Sequence, residues 1–301
     1  MMDADAKLAF ARAVAPVPVT DEPSLVKQKS RDFYWYSPIL KGQLRGVTAD
    51  LVVAPRRTED VIRVVRECVA RRLPLTVRGA GTGNYGQAMP LEGGVVMDMT
   101  AMTAMTTVSP GIVRVGPGLK LIDLEALTLP SGWEMRFHPS TRRTATIGGF
   151  IGGGSAGVGS INFGVLRDRG NVLSLKVVTA EAEPRVIELR GDDVQKVVHA
   201  YGTNGIIVEL EIPLARAWPW VDVIAAFPDF MAATRFGQAL GEADAVIKKL
   251  VTPVDAAVAA FFKPLAPVVP SGQALVIAMI AEPSLATCRA LARDAGGTVC
   301  F

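Results

Sequence analysis

Between residues 50 and 98 the apolar positions keep two different rhythms. Leu51, Val52, Val53 and Ala54 form a short unbroken apolar run stopped by Pro55, the pattern of a buried strand. From Thr58 onward Val61, Val64, Val65, Cys68 and Val69 recur three and four residues apart, which predicts a helix to about Arg72. Thr58 is its expected cap, with Glu59 and Asp60 placed against the first-turn amides. Residues 75–78 (LTVR) and 95–98 (VVMD) are strand runs again, so this stretch reads as a β-α-β unit. A second unit opens with a strand at 112–115 and a helical pattern from Leu119 (LKLIDLEAL), and continues to strands within 171–180 and 206–214. Helices and strands alternate here without a strict rhythm, and hairpin-like pairs come late. The fold class is therefore expected to be α+β rather than a doubly wound sheet.

Outside this region the pattern weakens. The first 46 residues show little periodicity and end in an aromatic cluster, Phe33, Tyr34, Trp35 and Tyr36, expected to form an arm packed across the first domain. After Ala217 apolar strands near 221–227 and 274–280 alternate with alanine-rich helical stretches, which marks a different domain. The final GGTVCF reads as a turn entering a strand, and a piece of a longer protein is expected. The apolar stretch 265–281 is broken by Pro267, Pro270 and Gly272 and reads as core rather than a membrane span.

Glycine changes the picture. Nine glycines fall between Gly148 and Gly170, a density expected to support neither a stable helix nor a packed strand. A second glycine loop, residues 77–86 (VRGAGTGNYG), follows the strand at 75–78. Two such loops beside strands point to a large phosphate-bearing cofactor held by main-chain amides. The net charge of +3, from 32 basic and 29 acidic residues spread along the chain, gives no reason to favour nucleic acid. Three cysteines, Cys68, Cys288 and Cys300, make neither a metal-ligand spacing nor a disulfide framework, which fits a reducing compartment. The N-terminus has acids among its first residues and no continuous apolar segment, so no export is expected.

Two glycine spacings match the dinucleotide fingerprint, at Gly81-x-Gly83-x-x-Gly86 and Gly152-x-Gly154-x-x-Gly157. Neither is expected to lead into a helix: QAMPLEGG follows the first and VGSINFG the second. No Gly-Lys-Ser or Gly-Lys-Thr follows either cluster, which removes triphosphate hydrolysis. Two readings of residues 78–84 remain: a nest of successive amides around phosphate, or a plain glycine turn. His138 and His199, the two histidines, lie 61 positions apart without a partner at ligand spacing, and metal is not expected. His138 is read as a hydrogen-bonded structural histidine, with cofactor or substrate contact as the other reading. Arg142 and Arg143 suit a substrate carboxylate or a solvated surface. Arg167, Asp168 and Arg169 read as a salt-bridged turn. Neither histidine has a nucleophile elbow nearby, so hydrolysis drops out.

Three strings taken together, VRGAGTGNYGQ (77–87), HPSTRRTATIGGFIGGGSAGVGSINFG (138–164) and YGTNGIIVELEIPL (201–214), resemble in order and spacing the flavin-binding domain of the vanillyl-alcohol oxidase/p-cresol methylhydroxylase superfamily. Glycolate oxidase subunits and D-lactate dehydrogenase-like members are nearest in character. The resemblance implies an arm at 1–47, an FAD-binding domain at 48–217 with subdomains of about 48–105 and 106–217, and an incomplete substrate domain at 218–301. It implies that Arg78, Gly79, Ala80, Gly81, Thr82, Gly83 and Asn84 surround the FAD pyrophosphate. Pro139, Ser140, Thr146, Gly148, Gly149, Ser155 and Gly159 would lie along the rest of the cofactor, and Gly205, Ile206 and Ile207 against ribose and adenine. Some members tether the flavin through a histidine in the first loop. Thr82 stands at that position here, so non-covalent FAD is implied.

The activity implied is oxidation of a hydroxyl-bearing carbon, in a small 2-hydroxy acid, by hydride transfer to flavin N5. The base, which in the family generally comes from the substrate domain, is assigned to no residue. Two alternatives stand beside it: an NADPH-using enol-ether sugar-nucleotide reductase, and a non-catalytic flavin-binding subunit or fragment. The expected partner is a small-molecule substrate, with the electron acceptor unassigned and no nucleic acid. The expected location is the cytoplasm, with peripheral membrane contact and homo- or hetero-oligomers left open.

Overall fold

The computed structural model of the chain describes residues 2–301. It resolves into two compact units, one made of residues up to Ala156 with Val165–Ala215, the other of Gly157–Gly164 with Arg216–Phe301.

The larger unit holds two sheets. In the first, β1 (Val19–Thr20), β2 (Leu51–Val53), β3 (Leu75–Arg78) and β4 (Val95–Asp98) lie in the order β1-β2-β4-β3. β4 runs parallel to both β2 and β3, and β1 is antiparallel to β2. Continuous apolar runs suit these strands because both faces are covered. Leu51, Val53, Val95 and Met97 pack with Phe10 and Val14 at the end of α1 (Ala4–Ala13) and with the apolar stripe of α4 (Thr58–Ala70). The alternate residues Val52 and Val96 meet Val26 of α2 (Pro23–Lys29). α3 (Pro38–Gln43) follows the aromatic cluster. The arm is thus helical and contributes to the core, which its weak periodicity did not announce. α4 begins at Thr58 as expected, but no Thr58 side chain caps it. Asp60 instead ties down the chain just ahead of the helix, its Oδ2 accepting the Arg56 amide at 3.0 Å.

The second sheet contains β5 (Met105–Ser109), β6 (Ile112–Val115), β7 (Trp133–Met135), β8 (Ser174–Val178), β9 (Val186–Arg190) and β10 (Ile206–Arg216). Its order is β5-β6-β10-β8-β9, with β7 on β10. Val178, Ile206 and Val208 of this sheet enter the same core as the first sheet, so the two are packed as one body. α5 (Leu121–Thr128) and α6 (Ile147–Gly153) belong to this half. α6 corrects the reading of the long glycine segment. Thr146 caps it by accepting the Gly149 amide at 3.3 Å, and Phe150 and Ile151 are buried in its middle. Burial here outweighs the poor helix propensity of four glycines.

In the smaller unit a four-stranded antiparallel sheet runs β12-β13-β11-β14, from β11 (Trp220–Phe227), β12 (Lys248–Val254), β13 (Ala274–Ala281) and β14 (Thr298–Val299). α8 (Phe230–Glu242) and α10 (Leu285–Asp294) cover one face, where Phe227 stacks on Phe236 with ring centroids 5.1 Å apart. The short α9 (Ala256–Ala259) precedes Phe262 and Leu265, which pack on the other face with Ile224 and Leu275. A four-residue helix, α7 (Ser160–Phe163), is tied to β12 by the Gly159 amide on the Lys249 carbonyl at 2.8 Å. A short helical turn therefore does follow the second glycine fingerprint.

Candidate functional site

A cleft partly open to solvent lies in the larger unit at the carboxyl end of β3. That is where the loops of a parallel strand pair diverge and leave room for a ligand. Its walls are the loop after β3, Asp32 from the arm, Gln87 and Ala88, Met99, Pro117, one side of α6, and Tyr201, Gly202 and Ile207.

The loop after β3 has its polarity sorted. Three of its carbonyls are occupied: Gly79 O and Ala80 O accept from the Arg78 guanidinium at 3.1 and 3.0 Å, and Gly83 O accepts the Phe33 amide at 2.7 Å. Its amides are not. Among the described residues none of the N–H groups of residues 80–84 donates to a protein acceptor. Gly81 adopts φ of +72°, the left-handed step that lets neighbouring amides converge, and a Cβ there would strike the Arg78 side chain. This is a surface of bare donors, suited to an anion rich in oxygen.

Arg78 is 6% exposed and spends its guanidinium on main-chain carbonyls, those of Gly79, Ala80, Arg31 and Lys29. Burial lowers its pKa, while the charges of Asp98 and Asp32 act to raise it. Asp98 also pairs with Lys29 at 2.6 Å. Asp32, 2% exposed, accepts the Tyr34 amide at 2.9 Å through Oδ1, and its Oδ2 makes no hydrogen bond. Burial pushes its carboxyl pKa up, opposed by the amides of Tyr34, Ala88 and Gly86 and by Arg78.

α6 presents carbon rather than donors. Its first amides are already used: Ile147 N donates to Leu119 O, Gly148 N to Pro117 O, both at 2.9 Å, and Gly149 N to Thr146 Oγ1. Gly148 is required by packing, since a Cβ there would lie 2.4 Å from Pro117 Cβ. Gly152 and Gly153 differ. Both line the cleft, and a Cβ on either meets nothing within 4 Å, so a side chain there would occupy the cleft itself. Tyr201 lies on the rim with Oη 2.8 Å from His199 Nε2. Both residues have positive φ, and their amides bond the carbonyls of Ile151 and Gly152 in α6.

Of the residues singled out from the sequence, Arg78, Gly79, Ala80, Gly81, Thr82, Gly83, Thr146, Gly148, Gly149 and Ile207 line this cleft. Asn84 ends the loop. Pro139 closes a turn by accepting the Arg142 amide, and Ser140 and Ser155 are exposed. Gly159 is in the smaller unit, Gly205 packs on Val177, and Ile206 turns into the core opposite Ile207. His138 is buried outside the cleft lining, with Nδ1 3.2 Å from the Pro139 carbonyl. Arg142 is bound to Glu125 at 2.9 Å. Arg169 pairs with Asp192 at 2.8 Å rather than with its neighbour Asp168, whose Oδ2 takes the Val165 amide. Sequence reasoning missed Asp32, Gly152, Gly153 and Tyr201. The two glycines carried a signal in their run, whereas Asp32 reaches the site only because the arm folds back. Among the described residues no cluster of three metal-ligating side chains occurs, and no helix is long and apolar enough to cross a membrane.

Residues 49–188 match the family described as FAD binding domain. The glycolate oxidase subunit GlcD of Bacillus subtilis is 30% identical over 174 residues, 55% of this chain and 37% of that protein. D-lactate dehydrogenase of Archaeoglobus fulgidus is 30% identical over 174 residues, 54% of this chain and 38% of its own length. These matches span less than half the length of the curated relatives. Among solved structures, an alkyldihydroxyacetonephosphate synthase crystallised in P1 superposes with a TM-score of 0.81 at 18% identity, over 98% of this chain and 64% of that one. At that identity the likeness establishes the fold.

Proposed function

Since this chain carries an FAD-binding domain of the vanillyl-alcohol oxidase/p-cresol methylhydroxylase flavoprotein superfamily, we propose that it serves FAD-dependent oxidation of small 2-hydroxy acids. The observation that carries this reading is the unspent amides of residues 80–83, which line a cleft that Gly152 and Gly153 keep clear. Bare donors suit a diphosphate, and side-chain-free walls suit a flat ring system, so the residues present fit FAD.

In this reading the loop amides hold the diphosphate, α6 gives a smooth carbon wall, and Ile207 and Met99 line the cleft with apolar surface that excludes water. FAD, when bound, supplies the acceptor for the hydride that leaves C2 as the hydroxyl proton is lost and a 2-oxo acid forms. Thr82 offers no ring nitrogen for a covalent tether, so the cofactor is held by non-covalent contacts alone. His138 and Arg142 are committed to other work: the histidine stands against a backbone carbonyl and the arginine holds Glu125.

Titration of the purified chain with FAD tests the reading. The expected result is a saturable complex with a flavin absorbance band that denaturant releases, and anaerobic bleaching on adding glycolate or D-lactate. A chain that takes up no FAD would overturn the proposal. A complex that no 2-hydroxy acid bleaches would instead favour a flavin-binding subunit.

A further inference from the structure

The loop amides are aimed by groups outside the loop. In a trans peptide the carbonyl of one residue and the N–H of the next point in opposite directions across a shared plane. Arg78 Nε holds Gly79 O, which turns the Ala80 N–H away from the guanidinium; Nη2 holds Ala80 O and turns the Gly81 N–H likewise. The Phe33 amide holds Gly83 O and turns the Asn84 N–H away from the arm. The remaining guanidinium nitrogen, Nη1, is bonded to two arm carbonyls, Lys29 O and Arg31 O. Arm and loop therefore meet on one buried cation. The arm is in turn anchored to the end of β4 by Lys29 and Asp98, and its turn is set by Asp32 on the Tyr34 amide.

We propose that residues 29–34 of the arm are an integral part of the cofactor site, that Arg78 is a positioning group that orients the Ala80 and Gly81 amides toward a diphosphate, and that the Phe33 amide fixes the far end of the same loop. This rests on the FAD reading above. Its consequence is that diphosphate binding and docking of the arm are coupled: each favours the loop conformation that the other needs. Lysine cannot replace Arg78, because a single ammonium cannot reach four carbonyls in the fork geometry of a guanidinium.

The experiment compares the wild-type chain with Arg78→Lys, using FAD, ADP and riboflavin as probes. The variant is expected to bind FAD and ADP at least tenfold more weakly while its affinity for riboflavin, which has no phosphate, stays within twofold. Hydrogen exchange on the wild-type chain gives a second readout that does not depend on the variant folding. FAD and ADP should slow exchange both in the loop and in arm residues 29–34, and riboflavin should not. Unchanged FAD and ADP affinity in a folded variant, equal weakening for riboflavin, or an arm whose exchange ignores ADP would each overturn the proposal. Failure of the wild-type chain to bind FAD at all would instead sink the functional reading on which it rests.

Discussion

Neighbouring glycines in α6 serve opposite purposes, and substitution separates them. Alanine at Gly148 would press its methyl against Pro117, so Gly148→Ala is expected to lose roughly 1–3 kcal/mol of stability, read as a lower thermal midpoint. Alanine at Gly152 meets nothing in the protein and improves helix propensity by up to about 1 kcal/mol, so the FAD-free chain should be as stable or more so. The same methyl stands in the cleft, and FAD affinity should fall at least tenfold. A Gly152→Ala chain that binds FAD normally would show that the cleft is not where the cofactor sits. Charge at the residue scale gives a pH dependence. Glu211 on β10 lies between Arg114 at 2.7 Å and Arg190 at 3.2 Å, and the hydrogen bond from Arg114, ahead of that from Arg190, lowers its pKa. A carboxyl whose folded pKa lies below its unfolded value stabilises above the unfolded pKa and loses that contribution as pH falls through the folded one. Glu211→Gln should therefore cost about 1 kcal/mol at pH 7, modest because both arginines are partly exposed, and the gap from wild type should close in acid. Denaturant midpoints at several pH values measure it.

At the scale of elements, legibility followed the way each segment is stabilised. β3, β4 and β6 were readable to the residue because strands buried on both faces, or hairpin strands next to a turn glycine, write their burial into local composition. α6 was not readable. Its glycines look like a loop, and what makes it a helix lies elsewhere: Pro117 and Gly79 pressing on its first turn, and the burial of Phe150 and Ile151. The first glycine loop was legible as a glycine-rich turn after β3, whereas the use of Arg78 was not, since its carbonyl partners Lys29 and Arg31 sit almost fifty positions away in an arm of weak periodicity. The cap of α6 offers a direct test. Thr146→Ala removes the hydroxyl that accepts the Gly149 amide and should cost about 1 kcal/mol by thermal denaturation. No loss would mean that packing alone maintains the helix.

For the whole molecule the decisive property is that the cleft is built from distant parts of the sequence. Asp32 and Arg78 come from the arm and β3, Thr146 from the start of α6, and Ile207 from β10. Such a site exists only when the larger unit is folded, so a ligand that fills it binds the native state and not the unfolded chain. Linkage then sets the size of the effect: at a hundredfold excess over the dissociation constant, FAD should add about 2.7 kcal/mol. For a body of this size that corresponds to a rise of roughly 5–10 °C in the midpoint of the transition that releases flavin fluorescence. The rise should grow with the logarithm of FAD concentration once the site is saturated. A midpoint indifferent to FAD while the absorbance band reports binding would place the flavin on a locally folded surface patch, not in a cleft assembled from the arm, both sheets and α6.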